Sequence, residues 1–463
     1  MHDEPRQFSH IVLCHIKEIF RIDFEKGHAL SLDYKKINFT GLVLIIFFSV
    51  TIIVRLIHLD SIQFLGDEFT ALILSYENIH KAPVLAGLQS STGLYNPPIF
   101  IYLLSVATYF SIDPAKLTLY VILLNIAGLL LLFYFFYKHL GLIKSLIVSV
   151  IFSSSPWFIN FSRKIWAQDV MLPFMALLYI CIFSLLKEYK SYKVLIIFFL
   201  VAVLTQLHMS TWFLPVPLIL FFLLFRIKFK MKDILMGFSV FITLYLPYIY
   251  YHFRTHFENV RLFLLNGDSG NHFGNNIIWS FKISTGLGYD YLLGVGGYAR
   301  FLSDCPWIYA IIFMFIVYLF LTVAAFFYCS FKSLKTVVSG HFKLDQAKTS
   351  NEAKISLLFI LIYLFTQALY LVFDVPGYPH YNILFYATLS FFVCLFLGDV
   401  TRSRNVLLSF TAIIFFVNIF FVLSFYHFVE NSPKAIDGDY GIPYQFQKHE
   451  WENSINRTLN INP

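Results

Sequence analysis

Apolar residues run through this chain in long blocks, separated by short stretches that carry most of the charge. A helix that crosses a bilayer needs about 20 apolar residues with few charges. Blocks of that kind lie at 39–57, 117–137, 145–161, 170–186, 194–208, 211–225, 233–252, 306–331, 355–373, 382–398 and 405–427. The pattern predicts an all-α polytopic membrane protein of about 11 spans. The apolar run between Lys193 and Arg226 is too long for one helix, and reads as a hairpin turning near His208. The block 97–112 opens with Pro97-Pro98 and is too short to span, which suits a helix lying at the membrane surface. Positions 8–24 place Phe8, Val12, Ile16, Ile19 and Phe20 on one helical side, the pattern of an amphipathic surface helix.

Charge placement sets an orientation. With a cytoplasmic N-terminus and 97–112 not crossing, the inward segments 1–38, 138–144, 187–193, 226–232, 332–354 and 399–404 hold 22 of the 34 Lys and Arg. Cytoplasmic loops are enriched in these residues, so the N-terminus is expected inside and the C-terminus outside. The chain then divides into a cytoplasmic N-terminal segment 1–38, a transmembrane module 39–252 with a first outer loop 58–116, an outer loop 253–305, C-terminal spans 306–427 and an outer tail 428–463. The first apolar block begins only near Phe39, so the start does not read as a signal peptide.

Composition agrees. Of the 463 residues, 58 % are hydrophobic and only 13 % charged, with a mean hydropathy of +0.70. That excludes an ordinary soluble enzyme, a disordered chain and a nucleic-acid-binding module, because too little charge is present to cover a wet surface. Five cysteines show no close pairing, which argues against a disulfide framework or a thiolate metal site. Aromatic residues reach 19 %, and many fall near the proposed outer face, as a belt or a groove lining.

The candidate chemistry gathers in the outer segments. Asp67 and Glu68 follow the first span, and could be solvated loop acids or first-turn helix residues. Arg55 lies within that span, near its outer end. Tyr95-Asn96-Pro97-Pro98 opens the non-crossing helix; Ser162-Arg163-Lys164 and Asp169 form the next outer segment; Gly377-Tyr378-Pro379-His380-Tyr381 lies between two later spans. Arg163 and Lys164 run against the inward charge trend, so an anionic partner or lipid head groups would hold them outside. Asp169 alone could be a helix cap, His380 a hydrogen-bonded cap and His208 an interhelical hydrogen-bonder. The glycines of 286–297 lack phosphate-loop spacing and read as a flexible outer loop. His252 and His256 share a helix side at i, i+4, with no third ligand nearby.

In order, Arg55, Asp67-Glu68, Pro97-Pro98 with following aromatics, Ser162-Arg163 and Asp169 resemble the GT-C class of membrane glycosyltransferases. The resemblance is to the family 39-like branch of protein O-mannosyltransferases and lipid A aminoarabinose transferases, over roughly residues 40–190. It implies a GT-C-like bundle with a juxtamembrane helix, and transfer of a sugar from a polyprenyl-phosphate carrier to a lipid, glycan or protein acceptor. It further implies a bacterial inner membrane with the active site on the outer face. Asp67 would be the general base, with Glu68 supporting it and Asp169 as a second acid at the acceptor or sugar. Arg55, Arg163, Lys164 and His380 would hold phosphate, while Tyr95, His208 and Tyr381 would line the substrate groove. No cofactor is required by these residues; a divalent cation is compatible with the class, and no ligand set demands one. The position before the Pro-Pro pair, a lysine in some members, is Asn96 here, so aminoarabinose is not implied. The competing class is a lipid-linked sugar flippase or other transporter, which would carry ionisable residues deep within its spans and show internal symmetry.

Overall fold

The computed structural model describes residues 39–90, 93–258, 260–261, 275–373, 375 and 377–460. The amphipathic stretch 8–24 and the glycine-containing stretch 267–271 lie outside them.

Seven described helices are long and apolar enough to cross a membrane. They are α1 (Phe39–Leu56), α4 (Pro114–Leu140), α7 (Met171–Lys187), α10 (Met231–Arg254), α13 (Ile308–Ser339), α14 (Asn351–Val372) and α16 (Arg404–Asn431). Shorter apolar helices complete the set: α5 (Leu142–Ser154), α8 (Ser191–Leu207), α9 (Pro215–Leu224) and α15 (Tyr386–Thr401). Each of the eleven blocks read from the sequence thus has its helix. The hairpin is present too, with α8 and α9 joined through the tight turn Met209–Thr211. Between α1 and α4 lie α2 (Gly66–His80) and α3 (Ile99–Thr108), and the 10 residues of α3 are too few to span. Beyond α10 come α11 (Asn275–Lys282) and α12 (Asp290–Asp304), and the tail ends in α17 (Tyr444–Leu459).

Local chemistry fixes the boundaries. At the start of α4 the Asp113 carboxylate accepts the Ala115 amide at 2.9 Å and Pro114 takes the first helical position, where a missing N–H costs nothing. Its end is closed by Gly141 at φ +81°, a conformation that favours glycine. Ser350 and Ser403 cap α14 and α16 with their hydroxyls.

One expected span is broken. The block 145–161 is not a single helix: α5 stops at Ser154, Ser155 turns out of the helical region (φ −52°, ψ 127°), and α6 (Pro156–Phe161) restarts the chain. Pro156 is the cause, because its ring disfavours a helical conformation in the preceding residue and it offers no amide.

The core is a single apolar mass in which α7 is the most enclosed span, packed against α4 and α8, while α5 meets α1, α15 and α16. The outer flanks of α10 and α13 stay apolar and exposed, with Phe238, Ile242, Leu246, Phe313, Phe320 and Phe327 uncovered. Apolar surface on that scale belongs in lipid, and the chain is an integral membrane protein.

Candidate functional site

The site begins at the N-terminus of α2. Glu68 sits in the first turn, and its Oε2 accepts the Leu65 amide at 3.0 Å. The carboxylate thereby satisfies a backbone donor that the helix leaves open. It is buried, and burial pushes its carboxyl above the ordinary range, against the opposing pull of Lys164 and the backbone amides. Asp67, one residue earlier, is exposed to solvent on the same turn. Protein crowding it from one side raises its carboxyl as well; Lys164 works against that rise and Asp439 adds to it.

The cations gather around the broken helix. Arg55 is wholly buried and fills the α5–α6 break: one guanidinium nitrogen donates to the Ser153 carbonyl at 2.8 Å, another to the Thr51 carbonyl, and the group lies 4.8 Å over the Phe158 ring. Arg163 donates to the His58 carbonyl and stands 4.5 Å over Tyr426. Both arginines brace backbone and rings. Lys164 is placed differently. Its Nζ is 3.2 Å from Asp439 Oδ2, 3.7 Å from Glu68 Oε1 and 3.1 Å from the centre of the Trp166 ring.

Asp169 precedes α7, within electrostatic reach of Lys164, Glu68 and Asp439. Its side chain is buried, and neither carboxylate oxygen has a hydrogen-bond partner within the protein. It borders a cavity of about 30 Å³ that Asn125, Phe158 and Tyr179 also line. That is room for one or two waters or a small polar group. A buried carboxyl without partners is costly, and both Asp169 oxygens are open to a polar group seated in that cavity.

Next to Trp166 stands an aromatic wall. His380 lies 5.1 Å from Trp166, stacks on Tyr378 at 5.5 Å, and meets His208 at 6.1 Å; His208 meets Tyr381 at 5.2 Å. Burial, then His208 and Lys164, hold the His380 imidazole well below its ordinary range. It is uncharged at neutral pH and can serve a phosphate only as an N–H donor. His208 Nδ1 is engaged with Ser210 in the hairpin turn. Asp67, Glu68, Lys164, Asp169, His208, His380 and Tyr381 therefore form one connected region. Tyr95 packs at 5.8 Å on Tyr251 of α10, and its carbonyl accepts the Tyr248 hydroxyl.

Sequence reasoning missed the tail. Residues 437–440 lie along 291–293: the Asp437, Asp439 and Tyr440 amides donate to the Leu293, Tyr291 and Leu292 carbonyls at 3.1, 3.0 and 2.9 Å. Gln63 donates to the Asp439 carbonyl at 2.8 Å, and the Tyr444 amide to the Ile62 carbonyl at 2.9 Å. The tail thus straps α12 to the loop before α2 and sets Asp439 against Lys164. The approach demands glycine, since a Cβ on Gly438 would fall 2.2 Å from the Gly294 amide nitrogen. The glycines read as an open loop are in part this docking surface. The only advance signal was the run Asp437-Gly438-Asp439-Tyr440-Gly441, an acidic turn with no stated partner.

The proposed histidine pair dissolves: α10 ends at Arg254, so His256 (φ +50°) is off the helix that carries His252. Among the described residues no group of three or more His, Cys, Asp or Glu is gathered as a metal site.

The described helices thus form a bundle with a surface helix after the first span, an acidic helix start beside it and a broken third membrane segment. Among solved structures, ArnT from Cupriavidus metallidurans bound to undecaprenyl phosphate has a similar, GT-C-like fold, with a TM-score of 0.50 over 81 % of this chain and 64 % of that one, at 14 % identity. The apo state of the same protein gives a TM-score of 0.46 over 78 % and 60 %, also at 14 % identity. The chain spans less than two thirds of ArnT's length. No family model and no curated protein matches the sequence.

Proposed function

We propose that this protein is a glycosyltransferase that moves a sugar from a polyprenyl-phosphate carrier to an acceptor on the outer face of the membrane. The observation that carries the proposal is the buried Lys164, held between Glu68 and Asp439 beside an exposed Asp67 and an unpaired Asp169. The shared fold with a protein solved with undecaprenyl phosphate supports it. So does the position of the charged Asp, Glu, Lys and Arg in the spans, which lie towards the helix ends rather than in mid-membrane as a transporter would need.

The chemistry follows from the geometry. The leaving group is a phosphate and needs no proton, so catalysis requires a base for the acceptor and a cation for the departing charge. Asp67 takes the proton from the acceptor hydroxyl; the oxygen attacks the anomeric carbon; the sugar–phosphate bond breaks and the carrier leaves as polyprenyl phosphate. Lys164 meets that phosphate. To do so it exchanges one carboxylate, and Asp439 is the one to yield, being 28 % exposed where Glu68 is 1 % exposed. Glu68 stays as the helix cap that fixes Asp67, and Asp169 receives hydroxyls of the sugar or acceptor. The aromatic wall of Trp166, Tyr378 and Tyr381 offers flat faces to the sugar and the prenyl chain.

The test is mass analysis of envelope glycolipids, glycans and glycoproteins from cells with the protein, without it, and with Asp67→Asn. Wild type should add a mass of one sugar residue to some acceptor. The variant should insert normally and lose the increment by at least 100-fold, the low end for removing a general base. An increment undiminished in Asp67→Asn, or identical profiles with and without the protein, overturns the proposal.

A further inference from the structure

At the end of the bundle remote from the acids, the helix ends enclose a second and much larger cavity, of about 620 Å³. The two lie far apart: α7 starts beside Asp169 and ends at Lys187, 17 helical residues or about 25 Å away. Lys138 from α4, Lys187 from the end of α7, Lys190 and Lys193 around the start of α8, and Lys354 from α14 all line it, against one acid, Glu188. A general excess of basic residues would leave lysines scattered over separate loops. Here three stretches that are remote in sequence bring five of them to one hollow. Deeper in, Phe135, Ile180, Phe183 and Leu186 supply an apolar wall.

The neighbouring groups limit what neutralises these charges. Lys193 is buried and donates two hydrogen bonds to the Ser184 and Glu188 carbonyls, at 2.8 and 2.9 Å. The Glu188 carboxylate lies 3.6 Å from Lys190 and can offset one lysine. Lys354 donates to the Gln346 carbonyl at 2.7 Å, and the neighbouring Asp345 offsets part of its charge, which still leaves the lysines in excess of the two acids. Several like charges around one hollow are unfavourable unless an anion joins them.

We propose that this cavity is a binding site for a phosphate anion, filled by the head group of an anionic phospholipid. The basic rim meets the phosphate, and the apolar wall receives the start of the acyl chains. Basic pockets between the ends of membrane helices bind lipid head groups in this manner. The site is separate from the proposed transfer chemistry and does not depend on it.

The test uses the full chain in detergent micelles and two probes, phosphatidylglycerol labelled on an acyl chain and inorganic pyrophosphate. Saturable phosphatidylglycerol binding should weaken roughly fivefold per lysine removed, on the order of 100-fold in Lys138→Gln/Lys187→Gln/Lys354→Gln. The corresponding triple arginine variant should keep it, as should Lys335→Gln, an exposed lysine outside the cavity. If pyrophosphate binding depends on the same three lysines and lipid binding does not, the phosphate site stands with a soluble occupant. Equal affinity of wild type and triple glutamine variant for both probes overturns the proposal. Lys187→Gln alone, at an exposed side chain, carries the test if the triple variant does not fold.

Discussion

Lys164→Met removes the ammonium from between two carboxylates in a nearly dry site, where Lys164 and Glu68 are each 1 % exposed. Deleting one partner of a buried ion pair costs about 3–5 kcal/mol, because the other charge is left uncompensated. Glu68 has one escape, which is to take up a proton. Burial already raises its carboxyl above the ordinary range, and Lys164 opposes that rise, so the variant pushes it further. A carboxyl whose folded value exceeds its unfolded one makes folding bind a proton, and stability then grows as pH falls through that raised value. The deficit of Lys164→Met is therefore expected to be largest at pH 8 and to shrink by pH 5.5. Glu68→Gln/Lys164→Met removes both charges while the glutamine oxygen keeps the Leu65 amide satisfied. It should be more stable than Lys164→Met alone, with a coupling energy of about 2–3 kcal/mol at pH 8. Thermal and denaturant unfolding of the purified protein, followed by fluorescence at both pH values, measures all four corners of the cycle. Additive losses, or a deficit that widens in acid, would refute the ion pair as the organising contact of the site.

Three further outcomes follow from named contacts. Transfer should fail in acid below a limit set by Asp67, which protein crowding on one side holds above the ordinary carboxylate range; Lys164→Gln should move that limit to higher pH and Asp439→Asn to lower pH, and rate–pH profiles in which both move the same way contradict the arrangement. Gly438→Ala drives a methyl into the backbone at Gly294 and should cost roughly 1–3 kcal/mol in thermal unfolding, with a fall in transfer as Asp439 leaves Lys164; unchanged stability and rate would show that the strap is not tightly docked. Orientation is read by single cysteines at the exposed Lys81 and Lys348 in a Cys14→Ser background, where Cys181, Cys305, Cys329 and Cys394 are buried; an impermeant maleimide applied outside should label position 81 and spare position 348, and the reverse pattern inverts the topology.

The helices were legible because lipid imposes a length and a polarity on every crossing helix, so the block pattern located one for each of eleven blocks, seven of them long enough to cross. Even the weakest pair, the α8–α9 hairpin, was readable from Lys193 and Arg226 at its two ends. What the block pattern hid was the break at Ser155. Hydropathy is indifferent to a proline among apolar residues, and the rule that a residue before proline leaves the helical region was the available signal. The same limit applied to the cations. Arg55, Arg163 and Lys164 look alike as charges near span ends. Only the structure separates two arginines bonded to the Ser153 and His58 carbonyls from a lysine facing carboxylates.

Asp439 marks the other boundary of what sequence can show. It stands 275 residues from Lys164, and nothing local to either residue names the other. Their meeting depends on a backbone pairing of 437–440 with 291–293, which depends in turn on two glycines, Gly294 and Gly438, close enough to exclude any side chain. The acids of α2 and the lysine of the broken helix would still converge without it, because Glu68 is fixed by its own helix start and Lys164 by the proline break. The tail adds the less buried carboxylate, and it is the one of Lys164's two ion-pair partners that can be exchanged without uncapping α2. On the proposed function, a phosphate arriving at Lys164 would compete with the Asp439 side chain rather than with the helix that holds Asp67. That proposal ties donor binding to release of the Asp439 carboxylate from Lys164, while Glu68 keeps α2, and with it Asp67, in place.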